Sequence, residues 1–141
     1  MDWTLEVVVI PVSTQEGGVD RAIAFYRDQL GFGLDHHTQG PGMNFAQLTP
    51  RGSGCSIVIG ELPGGPAMAP GSLKGLQLVV PDAHRARAEL LGRGVAVDEI
   101  TVIDERDGGT LFGFADPDGN SWVVHQIKAR GDAPLIPRLP K

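Results

Sequence analysis

One arrangement of residues is written twice in this chain, and that repetition limits the fold more than any other feature. Val8-Val9-Ile10-Pro11-Val12 leads into a helical stretch containing Ala22-Ile23-Ala24-Phe25-Tyr26, which stops at Leu30-Gly31-Phe32. Leu76-Gln77-Leu78-Val79-Val80 leads in the same way into Ala83 to Leu91 and stops at Gly92-Arg93-Gly94-Val95. Further on, Phe45 to Pro50, a glycine turn and the apolar run Cys55 to Ile59 are matched by Phe112 to Pro117, a glycine turn and Trp122 to His125. Two copies of one half-domain generally build one site between them, so the residues facing that space carry the functional question.

Periodicity divides each copy into elements. The first strand spans about 5–12, with Leu5, Val7, Val9 and Pro11 on one face and an equally apolar opposite face, which predicts cover on both sides. Asp20 is read as the N-cap of a helix over about 21–30, ended by Gly31. Strands follow at about 32–38, 43–49 and 55–60. The second copy gives a strand at about 75–80, a helix at 82–92 with Ala83, Ala86, Leu90 and Leu91 sharing a face, and strands at about 95–103, 110–115 and 121–127. The fold class is therefore α+β: two tandem βαβββ modules, about 5–61 and 73–128, joined by a Pro/Gly-rich linker at 62–72, in one domain over 1–130. A Pro-rich tail occupies 131–141. Each module has one sheet face covered by its helix and one bare. Apposing the bare faces predicts a cupped, barrel-like mixed sheet around a cavity.

This order, with Arg21 to Tyr26 followed by Leu30-Gly31-Phe32 and the late Asp116-Pro117-Asp118-Gly119-Asn120, resembles the vicinal oxygen chelate superfamily. That superfamily includes glyoxalase I, extradiol dioxygenases, fosfomycin-resistance enzymes and bleomycin-binding proteins, and the resemblance covers about 5–128. The resemblance implies a glyoxalase-like fold but not one activity, since the scaffold hosts unrelated chemistries. Metal-dependent members place ligands on the cavity face of the first and last strand of each module. On that pattern this chain offers Val7, Gly75 or Leu76, and Val123, none of which can hold a divalent ion. Glu61, at the end of the fourth strand, is the one acidic exception.

Alternation along the strands extends the same faces to Val9, Gln77, Val79, Ser121 and His125. The expected lining is aliphatic, with Gln77 and His125 as polar groups able to meet each other or a ligand, while Trp122 and Val124 point back to a helix. His125 is the candidate acid or base, with an ordinary hydrogen-bonded strand histidine as the competing reading. Of the neighbours His36 and His37, at most one can reach the cavity, because adjacent strand residues point to opposite faces. Cys55 reads as a small buried hydrophobe. Asp116 to Asn120 reads as a tight turn in which Gly119 supplies positive φ.

The leading expectation is metal-independent binding of an apolar or aromatic small molecule, a bleomycin-resistance-like sequestration or carriage without a cofactor. The alternative is a glyoxalase-like lyase or isomerase that uses Glu61 and His125 as displaced ligands of a divalent metal, or His125 as acid or base. A net charge of −5 argues against a nucleic-acid partner, and no apolar run approaches a membrane span. The single cysteine cannot close an internal disulfide, which fits a reducing cytoplasm. Open sheet faces and a linker that permits exchange of modules predict a homodimer.

Overall fold

The computed structural model describes residues 1–64 and 68–131. The expected tail beyond Gly131 and the centre of the expected linker lie outside these residues. The elements are β1 (Val7–Ile10), α1 (Gly18–Ala24) continued by a π-helical turn (Phe25–Gln29), β2 (Gly33–Gly40), β3 (Met43–Thr49) and β4 (Ser56–Glu61). Then come β5 (Leu76–Val80), α2 (Ala83–Gly92), β6 (Thr101–Val102), β7 (Thr110–Ala115) and β8 (Ser121–Gln126), followed by a short 3₁₀ turn (Lys128–Arg130). Two four-stranded mixed sheets result, ordered β1-β4-β3-β2 and β5-β8-β7-β6. Each has one parallel pair, β1 with β4 and β5 with β8, so the duplicated βαβββ pattern is realised twice.

The chain packs as two compact units, but not by a single cut. Among the described residues, those up to 73 join 116–120 in the first unit, and 74–115 join 121–131 in the second. In the first, α1 covers the face carrying Ala46, Leu48, Ile57 and Ile59, all buried. Tyr26 is fully buried there, edge-to-face with Phe25 at 5.2 Å between ring centroids and tilted against Phe32 at 5.7 Å. A buried phenol needs a hydrogen-bond partner. Residues 116–120 supply it: the Tyr26 hydroxyl donates to Asp116 Oδ2 at 2.7 Å.

Asn120, also fully buried, ties the same loop down. Its Nδ2 donates to the Pro11 carbonyl and to Asp116 Oδ2, each at 2.8 Å, and its Oδ1 accepts from the Leu73 amide at 3.1 Å. The motif is a tight turn with Gly119 at φ 99°, as its composition indicates, and it is also an internal anchor of the first unit.

In the second unit Phe112, Phe114, Trp122 and Val124 are buried on the α2 side, and Phe114 stacks parallel to Trp122 at 6.2 Å. The side chain of Gln126 reaches back to accept from the Ala83 amide at 3.0 Å. Asp82 caps α2 by accepting from the Arg85 amide at 3.1 Å.

Several element readings are corrected. The first helix begins at Gly18, capped by Gly17 at φ 79°, not by Asp20. Gly18 packs so closely on Ser13 that a Cβ would lie 2.1 Å from its carbonyl oxygen, a turn only glycine permits, and this starts the helix early. β1 is shorter than expected: it ends at Ile10, and the Pro11 carbonyl is taken by Gly71 and Asn120, so Pro11 is an anchor rather than a face residue. The expected strand at 95–103 is reduced to Thr101–Val102 and an isolated Val97–Phe114 bridge. There the Val95 amide is held by Leu90 in the helix terminus, and the Arg87 guanidinium binds the Asp98 carbonyl at 2.8 Å. Leu91 is 48% exposed and does not share the buried face of α2. Cys55 is half-buried and precedes β4.

Candidate functional site

Once α1 and α2 take one face of each sheet, alternation leaves a helix-free face on each. On the first sheet the paired positions Val7 and Ser56, Val9 and Val58, and Gln47 and Val58 share that face, with Phe45 beside Gly60. Val7 is 38% exposed and Val9 half-buried, so the expected cover on both sides of β1 is incomplete.

On the second sheet Gln77 pairs with Val123, Val79 with His125, Ser121 with Ala115, and Gly113 with Val123. The sequence reading therefore brought Gln77, Val79, Ser121, Val123 and His125 correctly to one face. It also set Trp122 and Val124 on the other, where both are buried. Gln77 and His125 do not meet: each pairs with a valine across the β5–β8 ladder. His125 Nδ1 lies 3.4 Å from the Gly108 carbonyl oxygen instead.

A polar network on the first sheet was missed. The Thr49 hydroxyl donates to Asp35 Oδ2 at 2.5 Å and lies 2.6 Å from the Ser56 hydroxyl, and Gln47 Nε2 donates to the same carboxylate at 3.2 Å. Alternation along Met43–Thr49 puts Phe45, Gln47 and Thr49 on one face, which was the available signal. Asp35 could not be found that way, because the β2 register shifts between Leu34 and His36. The shift also sorts the histidine pair. His36 is exposed, with its ring edge-on to Phe45 at 6.0 Å, while His37 Nε2 bonds Asn44 Oδ1 at 2.7 Å.

The donor set does not fit a divalent cation. Val7 and Val123 stand on the helix-free faces, Leu76 pairs with Trp122 on the helix-covered one, and Glu61 pairs with Asn44 at an exposed strand end. Ala46, next to Asn44 on β3, pairs with the buried Ile59, so by register Glu61 falls on the side opposite Val58. Among the described residues no three His, Cys, Asp or Glu side chains converge. Aliphatic carbons cannot replace the water shell of such an ion. Among the described residues, no helix is long and apolar enough to cross a membrane.

Against known proteins, residues 10–124 match the family described as Glyoxalase/Bleomycin resistance protein/Dioxygenase superfamily. No curated protein matches. Among solved structures, TnmS3, an antibiotic binding protein from Streptomyces sp. CB03234, is 33% identical, with a TM-score of 0.73 over 89% of this chain and 97% of its own. A glyoxalase/bleomycin resistance protein from the same organism is 34% identical, with a TM-score of 0.70 over 87% of this chain and 100% of its own. A member of the superfamily from Sphaerobacter thermophilus DSM 20745 is 27% identical, with a TM-score of 0.71 over 89% and 98% of the two chains.

Proposed function

Because the chain belongs to the glyoxalase/bleomycin resistance protein/dioxygenase superfamily, we propose that it binds an apolar, ring-bearing small molecule without a metal, and so sequesters or carries it. The observation that carries this reading is that valines, Val7 and Val123, stand on the helix-free faces where a chelating side chain would be required, with Val9, Val58 and Val79 on the same faces. The likeness to TnmS3, described as an antibiotic binding protein, supports a small-molecule ligand. The ligand-contacting residues are Val7, Val9, Gln77, Val79, Ser121, Val123 and His125. The valines supply apolar area, and Gln77, Ser121 and His125 supply hydrogen-bonding orientation.

Magnitudes permit such binding without coordination. Hiding about 400 Å² of apolar ligand surface at roughly 25 cal/mol/Å² yields about 10 kcal/mol before costs. Lost motion and side-chain ordering reduce this to roughly micromolar affinity. The protein acts as a homodimer in the cytoplasm, which size measurement by light scattering tests for the assembly.

A thermal-shift panel of aromatic and polyketide-like compounds tests the binding reading. Stabilisation by ring-bearing members, retained after chelation, is the expected result. No response across the panel, or stoichiometric metal retained through gentle purification, would overturn it.

A further inference from the structure

The helix-free face of the second sheet carries a charged group that strand alternation alone did not reveal. Asp98 lies in the irregular segment between α2 and β6, next to the Val97–Phe114 bridge, and its amide donates to the Gly113 carbonyl at 2.8 Å. That pairing turns its side chain to the face of Gly113, away from the buried Phe114. The carboxylate then lies across the strand: a Cβ built on Gly113 would sit 2.8 Å from Asp98 Oδ2.

Glycine at this position leaves the space that the carboxylate fills. From behind, Arg87 fixes the segment by donating to the Asp98 carbonyl at 2.8 Å. No hydrogen bond to the Asp98 carboxylate is found among the described residues, and the residue is exposed.

Gly113 pairs with Val123, and Val123 with Gln77. One row across the face therefore reads carboxylate, glycine, valine, amide. Neighbouring strands stand about 4.8 Å apart, so this row is roughly 14 Å long with a flat apolar middle, wide enough for a fused-ring system. Among the described residues no strand contains a lysine or arginine, and the imidazole on this face, His125, has its Nδ1 3.4 Å from the Gly108 carbonyl oxygen.

We infer that Asp98 is a specificity determinant which selects ring-bearing ligands that carry a protonated amine at one end. The inference rests on the binding reading above and names the ligand class for the same face. The ring lies over Gly113 and Val123, and the ammonium group donates to Asp98.

The test compares naphthylmethylamine with its neutral analogue naphthylmethanol, by fluorescence titration on the full chain. The wild-type protein is expected to bind the amine about two- to fivefold more tightly, the range for an exposed charge pair. Asp98→Asn should remove that preference and leave naphthylmethanol affinity within about twofold. Gly113→Ala should also weaken it, by displacing the end of a flexible side chain without changing the charge. Glu89→Gln, on the exposed face of α2, should leave the preference intact and so separate Asp98 from the overall negative charge. Equal binding of the two probes by wild type, or a preference unchanged in Asp98→Asn, would overturn the assignment of Asp98 alone. Failure of both probes to bind would overturn the ring-binding reading together with it.

Discussion

The two halves run through the same order of elements and arrive at different kinds of interior. The first unit buries a hydrogen-bonded polar cluster, Tyr26, Asp116 and Asn120, beneath an otherwise apolar sheet face. The second relies on aromatic packing, with Phe114 stacked on Trp122 and Phe112 alongside, and its helix buries only Ala83 fully. The polar cluster also draws on distant sequence, since residues 116–120 are carried between β7 and β8 and yet pack in the first unit. Duplication of a sequence pattern therefore does not duplicate its energetics. Once the copies coexist in one chain, a loop of one can become an internal part of the other.

Removing the largest fully buried apolar side chain of the second unit should have the largest effect. Phe112→Ala is expected to cost about 3–5 kcal/mol, by lost burial plus the cavity left behind. Urea unfolding would measure it, and a cost below about 1 kcal/mol would mean that the aromatic core is not what holds this unit. Asn120→Ala should come next, at about 2–4 kcal/mol, because it strands the Leu73 amide and removes a donor from the Pro11 carbonyl. Its signature is regional: faster hydrogen exchange around Pro11 to Tyr26, although the substitution lies in the second copy. Faster exchange confined to β7 and β8 would break the comparison.

The smallest effect concerns Asp107, which accepts from the Lys128 amide at 2.7 Å and the Ala129 amide at 3.1 Å. Those two bonds hold its carboxyl below the ordinary carboxylate value. A depressed value in the folded state favours folding at neutral pH. That contribution is lost only as the pH falls through the lowered value. Protection of the Lys128 and Ala129 amides should accordingly be steady at neutral pH and fall in acid, and it should be absent throughout in Asp107→Ala. Protection that rises on acidification would reverse the sign and refute the assignment.

Much of the candidate site was legible because a strand has a period of two. Gln77, Val79, Ser121, Val123 and His125 sit on one face for no reason beyond alternation in two regular strands. Asp35 and Asp98 were not legible, since each lies where register is interrupted and alternation ceases to assign a face. The helix start was misread for a related reason: Asp20 has a favourable capping side chain, but the close approach of Gly18 to Ser13 had already begun the turn.

By itself, the sequence determined the duplicated βαβββ order, the helix-covered and helix-free faces of its regular strands, and the lack of chelating groups at the expected positions. These follow from local periodicity and side-chain chemistry. Only the tertiary structure decided that Asn120 completes the core of the first unit and that Asp98 crosses Gly113. Both depend on contacts between residues far apart in the chain, where a buried polar atom must find its partner and a missing Cβ leaves room for one.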